Sequence, residues 1–121
     1  MYINNKALCQ PIIGSSLEKI YELIGREYGN SKGCSLAYLE LPPNASTTKH
    51  YHPHMVEIYY VLEGSATLIL DGEHKNIIKN DAILIRKHSI HQLINHTREF
   101  LHLLTISLPA WLPSSEVIVG E

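Results

Sequence analysis

With 121 residues, the chain is long enough for one domain with a single core and too short for two domains that each bury their own. Hydrophobic residues make up 45% and charged residues 18%, with a formal net charge of −2; this fits a globular protein in water and lacks the basic excess with which phosphate backbones are bound. No stretch approaches the ~18 apolar residues of a membrane-spanning helix, and the opening "MYINNKALCQPIIGSS" has no basic flank leading into an apolar run. The expectation is a cytoplasmic protein with neither nucleic acid nor membrane as partner, in which Cys9 and Cys34, lacking C-x-x-C spacing, are reduced thiols.

In chain order, residues 1–16 read as an N-terminal arm, 17–108 as a succession of strands and 109–121 as a tail. The segment "SSLEKIYELIGREYG" is ambiguous: Ser16 is placed to cap a helix, and Leu17, Ile20, Tyr21 and Ile24 fall near helical spacing. An edge strand over Ile20–Ile24 is preferred because everything after it is β. From Cys34 onward, short runs rich in Ile, Val, Leu, Tyr and Thr alternate with turn residues at intervals of about ten, the pattern of an all-β sandwich or barrel. These runs are "SLAYLEL", "VEIYYVLEG", "SATLIL", "NIIK", "AILIR", "HQLIN" and "FLHLLTISL", the last ending at Pro109. Asp71-Gly72, with strand-like sequence on both sides, is the strongest hairpin signal. In the tail, Trp111 between Pro109 and Pro113 is expected to seal apolar surface at a barrel end or a subunit contact.

The chemistry concentrates in "HYHPHMVEIYYVLEG", His50 to Gly64. On a strand, residues i and i+2 point to the same face, so His50 and His52 project together while Tyr51 faces away. Pro53 turns the chain, and the following strand sets Glu57, Tyr59 and Val61 on one face and Ile58, Tyr60 and Leu62 on the other. His91, Leu93 and Asn95 share a face farther on. Two to four imidazoles and one carboxylate converging in a barrel suit a divalent first-row transition metal. His54 competes with His52 as a ligand, but it follows Pro53 and leaves only a short step to Glu57; it reads as a loop histidine near the mouth.

The spacing H-x-H-x4-E-x6-G, here His50, His52, Glu57 and Gly64, resembles the first motif of the cupins, and His91 to Asn95 has the H-x3-N spacing that ends their second. The resemblance spans Asn44 to Asn95 by motif and continues to Pro109 in its strand pattern. It implies a double-stranded β-helix (jelly-roll) barrel, with His50, His52, Glu57 and His91 as ligands of a divalent metal such as Fe, Mn, Zn, Ni or Cu. The chain departs from the family where it has Asn44 and Asn80 in place of the glycines that open the two motifs. Asparagine is the residue other than glycine that best tolerates positive φ, so these turns can survive. Arg86 and His88 stand where a proline and a glycine are expected, so the approach of His91 is the part of the site these departures touch.

A metal that keeps open positions beside four protein ligands polarises a small oxygenated substrate, which gives the leading expectation of an isomerase, dioxygenase or lyase/decarboxylase. The alternative is a barrel that binds or senses a small molecule without turnover. Tyr59, on the Glu57 face, and His102, on the face shared by Phe100 and Leu104, are the candidate proton-handling residues if their faces look into the barrel; the plainer readings are a packed barrel tyrosine and a solvated or core-edge histidine. Arg86 is a surface arginine at the mouth by default. The resemblance further implies a homodimer, formed through an outer face such as that of Ile58, Tyr60 and Leu62.

Overall fold

The computed structural model describes residues 1–120. Its strands, in chain order, are β1 (Ile12–Ile13), β2 (Lys19–Ile24), β3 (Ser35–Leu41), β4 (His50–Tyr51), β5 (Val56–Glu63), β6 (Ser65–Leu70), β7 (Glu73–Ile78), β8 (Ala82–Ile85), β9 (His91–Ile94), β10 (Leu101–Leu108) and β11 (Val117–Ile118). They form two antiparallel sheets, ordered β1-β2-β3-β10-β5-β8 and β11-β4-β9-β6-β7. The two sheets enclose one interior, the jelly-roll barrel expected from the sequence. Burial alternates along β3 from Ser35 to Leu41, and β5 buries Glu57, Tyr59 and Val61 while Ile58, Tyr60 and Leu62 face outward.

The ambiguous segment after Ser16 is a strand. Leu17 adopts a φ of 65°, a left-handed geometry that stops a helix from starting there. The strand lies one position in from the edge, because Ile12 and Ile13 of the arm pair with Ile20 and Lys19. The tail also returns: Val117 and Ile118 pair with Tyr51 and His50. β7 begins at Glu73, three residues before "NIIK". Its polar start belongs to an edge strand paired residue for residue with β6, where solvent-facing charge is compatible with the ladder. Asp71 and Gly72 both take positive φ, 48° and 80°, as a two-residue hairpin turn requires.

The asparagine replacements behave as their chemistry allows. Asn44 has φ 60° and Asn80 φ 75°; His88 also takes the left-handed conformation, at φ 68°. The turn before His91 therefore keeps a glycine-type backbone without glycine, and the His88 amide donates to the His52 carbonyl at 2.9 Å. Gly64 cannot be replaced so freely, since a Cβ at its φ of 85° would lie 2.5 Å from the Phe100 carbonyl oxygen.

Three neighbouring strands set the shape of the interior. In register, β10 faces β3 as Leu101 with Leu41, Leu103 with Leu39, Thr105 with Ala37 and Ser107 with Ser35. On its other side β10 meets β5 as Leu103 with Val61, Thr105 with Tyr59 and Ser107 with Glu57. Large apolar side chains thus fill one end, where Leu41, Val61, Leu93, Leu101 and Leu103 are fully buried. Small and hydroxylated residues line the other end and leave room there.

Candidate metal centre

His50, His52, Glu57 and His91 meet at the roomy end, all of them buried. The three histidines come from one side of the barrel: His50 on β4 is the direct cross-strand partner of His91 on β9, and His52 lies just beyond the end of β4, two residues after His50. Glu57 comes from β5 in the opposite sheet, so the cluster bridges the two sheets. One ligand-type atom from each residue can be chosen so that all four lie within 4.8 Å of one another. The His50 and His91 ring centroids are 4.2 Å apart and those of His50 and His52 4.8 Å.

Each imidazole is held through its Nδ1. His50 Nδ1 donates to the Thr48 carbonyl at 2.8 Å, His91 Nδ1 to the Ser89 carbonyl at 2.8 Å, and His52 Nδ1 to the Ser115 carbonyl at 3.0 Å. A carbonyl only accepts, so the proton lies on Nδ1 and each Nε2 is left for another partner. His52 Nε2, His91 Nε2 and Glu57 Oε1 are buried without any hydrogen-bond partner among the described residues. The Glu57 oxygen lies 3.6 Å from His52 Nε2 and 3.3 Å from His91 Nε2. With neutral imidazoles these are acceptors facing acceptors, an arrangement that burial makes costly unless a cation sits among them. The donor set, three nitrogens and a carboxylate oxygen, is one that a divalent first-row metal accepts.

The electrostatics show that the cluster draws positive charge into itself. Burial pushes the Glu57 carboxyl up, but His52 and His91 beside it together outweigh burial and hold it at about 2. Burial, with His91 nearby, lowers the His50 pKa and keeps that ring neutral and able to donate its lone pair. For His52 burial also works against protonation, yet the facing Glu57 carboxylate raises its pKa on balance.

A cavity of about 150 Å³ opens beside the cluster, running from His50 and Glu57 past Tyr59 toward β1 and β2. Trp111 and Glu116 of the tail line it, and the Trp111 indole N–H donates to Glu116 Oε1 at 3.1 Å. Trp111 thus sits at a barrel end, the first of its two expected places. The tail contributes more than a seal. Its Ser115 carbonyl orients His52, its β11 pairs with the strand carrying His50, and its Glu116 is a carboxylate facing the cavity. None of these roles has a sequence signature: a backbone carbonyl is the same in every residue, and Glu116 acquires its position only when the tail folds back.

The remaining candidates separate. Tyr59 is buried, lines the cavity, and has its ring centroid 6.2 Å from that of His91. Burial and the Glu57 charge raise its pKa well above the usual phenol value, so it stays protonated, a donor rather than a base. The structure does not bring His102 to the cluster, which corrects its candidacy as a proton-handling residue and leaves the core-edge reading. On β10 Leu101 and Leu103 point inward, so His102 points out with Phe100, and its Nδ1 lies 3.0 Å from the Tyr38 hydroxyl. His54 and Arg86 are both exposed, and neither joins the cluster.

Comparison with known proteins adds the family context. A family model of the cupin domain matches residues 37–107. Among curated proteins, the chain is 32% identical over 60 residues to the tetracenomycin polyketide synthase protein TcmJ of Streptomyces glaucescens, covering 50% of this chain and 40% of that protein. It is 35% identical over 77 residues to the uncharacterized protein MJ1618 of Methanocaldococcus jannaschii, covering 64% of this chain and 62% of that protein. The chain thus spans less than two thirds of either relative. Among solved structures, the polyketide cyclase RemF from Streptomyces resistomycificus superimposes with a TM-score of 0.84 at 23% identity, covering 100% of this chain and 87% of RemF. At that identity the likeness establishes the fold.

Proposed function

The chain belongs to the cupin family, and from that premise we propose that it is a metal-dependent enzyme acting on a small oxygenated molecule, in an isomerase, dioxygenase or lyase type of reaction. The observation that carries the reading is the set of buried acceptors, His52 Nε2, His91 Nε2 and Glu57 Oε1, converging with no partner of their own. His50, His52, Glu57 and His91 would hold an iron, manganese, zinc, nickel or copper ion. That ion would supply Lewis-acid polarisation of a substrate oxygen, or access to dioxygen chemistry where the metal is redox-active.

The chain's own residues divide the remaining work. Thr48, Ser89 and Ser115 carbonyls keep the three imidazoles in the tautomer that leaves Nε2 free. Tyr59 offers a phenolic proton to a molecule in the cavity, and Glu116, steadied by Trp111, offers a carboxylate. Leu39, Ile20 and Trp111 restrict water along the walls. The names of TcmJ and RemF, both tied to polyketides, support a carbon skeleton bearing oxygen as the substrate.

The same reading makes the chain a cytoplasmic homodimer, joined through the outer face of β5 around Ile58, Tyr60 and Leu62. Among the described residues no helix is long and apolar enough to cross a membrane. Light scattering of the purified protein tests the dimer, and a mass of one chain would remove it.

Elemental analysis of protein purified without added metal tests the catalytic centre. About one ion per unmodified chain is expected, with loss in His50→Ala and in His91→Ala. A chain that stays empty after incubation with manganese, iron, nickel and zinc would refute the reading.

A further inference from the structure

The cavity beside the cluster carries carboxylates but, among the described residues, neither lysine nor arginine. Glu18 and Glu22 reach it from β2 and the turn before it, on the same side as Ile20, and Glu116 reaches it from the tail. Glu18 is 6% exposed, its Oε1 accepting the Ser16 amide at 3.2 Å, so its charge is fixed in place rather than swung into solvent. Glu116 is half-buried, and its charge acts on His50, His52 and Tyr59 at the inner end. A divalent ion held by neutral imidazoles and Glu57 retains a net positive charge, which these three further carboxylates more than balance. The rest of the lining is apolar or hydroxylated: Ile20, Leu39, Trp111, Ser35, Thr105 and Ser107. A volume of about 150 Å³ is enough for one six-membered ring with small substituents, since apolar cavities of ~150 Å³ hold benzene.

We infer that the site takes an uncharged, ring-sized molecule with an oxygen donor directed at the histidine–glutamate cluster, and that it rejects small dianions such as dicarboxylates and sugar phosphates. This inference rests on the proposed function for the meaning of the cluster, but its charge argument does not need the metal. A dianion entering the cavity meets Glu18, Glu22 and Glu116 at short range in a poorly solvated space with no cationic side chain to pair with. An uncharged ring loses little hydration on entry and gains contact with Trp111, Leu39 and Ile20. Hydroxyl groups of Ser35, Thr105, Ser107 and Tyr59 remain as partners for its oxygens.

The test is calorimetric titration of the full chain, zinc-loaded and metal-free, with two probes: 2-hydroxyacetophenone, an uncharged aromatic ketone, and oxalate, a small dianion. Expected is at least tenfold tighter binding of the ketone to the zinc-loaded chain, with the same ranking in the metal-free chain. Glu18→Gln should raise oxalate affinity severalfold and leave ketone affinity within about twofold, since the substitution removes charge from the cavity wall and keeps the oxygen that accepts the Ser16 amide. Oxalate binding as tightly as the ketone, or neither probe binding at millimolar concentration, would overturn the inference. A chain that takes up no zinc yet keeps the ranking would sink the metal reading alone; one that loads zinc and prefers oxalate would sink only this one.

Discussion

Strands β3, β5 and β10 each run through both ends of the barrel and furnish the two ends with opposite side chains. At one end they present Leu41, Val61, Leu101 and Leu103, which fill the interior. At the other they present Ser35, Ala37, Glu57, Thr105 and Ser107, which enclose the histidine cluster and its cavity. The backbone pairing is continuous from one end to the other, so the division of labour is written in side-chain size and polarity alone. The filled end supplies the burial that stabilises the fold; the open end can then carry buried unpaired acceptors, whose cost the apolar half offsets.

Substitutions at the two ends should therefore separate metal binding from stability. The largest effect is expected from His91→Ala, which removes one of four donors. Structural zinc sites bind with ~10–16 kcal/mol over about four ligands, so metal affinity should fall by on the order of 100-fold or more. Stability of the metal-free chain should fall by only about 1–2 kcal/mol, since the buried ring gives up its Nδ1 hydrogen bond to Ser89 but takes an unpaired acceptor away with it. At the filled end Leu103→Ala should cost about 2–5 kcal/mol and lower Tm by on the order of 10 °C, with metal affinity held within a few-fold.

Ser107→Leu tests the boundary between the ends. A leucine placed in the open end fills space that is empty, so stability should shift by less than the ~1–3 kcal/mol that overpacking a filled core costs, while ring-sized probes lose their site. Unfolding curves and calorimetry on the one variant check both halves of that statement.

Acidity should act on the open end first. Metal uptake must displace the proton that Glu57 helps His52 to retain; affinity therefore rises with pH through the raised His52 pKa and falls below it. A decline of about tenfold per pH unit is expected for each imidazole that must lose its proton, measured by competition with a chelator. Glu57, held at about 2, stays ionised throughout that range and adds no pH dependence. The smallest effect is His88→Gly, which relieves a left-handed backbone at φ 68° and should raise stability by up to about 1 kcal/mol without moving metal affinity.

Much of this layout was legible in the sequence, for identifiable reasons. Alternation in "SLAYLEL" and "VEIYYVLEG" sets inner and outer faces without tertiary information, and it placed Glu57 and Tyr59 inside. The i, i+2 spacing of His50 and His52 placed their rings together, and asparagine at positions 44 and 80 signalled positive φ turns that the backbone adopts. For His102 the sequence left two readings open, because "FLHLL" is apolar on both faces and periodicity does not say which side is in; the structure gives the core-edge one. The contributions of Ser115 and Glu116 depend on two residues, Val117 and Ile118, pairing with a distant strand, and nothing local announces that return.

The central claim is that the open end is organised around a metal held by three imidazoles and one carboxylate. X-ray absorption on the metal-loaded chain tests it most directly. The account predicts outer-scattering features of about three imidazole rings per metal, with one ring's worth lost in His91→Ala. A metal bound without imidazole scattering, or a spectrum unchanged by that substitution, would contradict it.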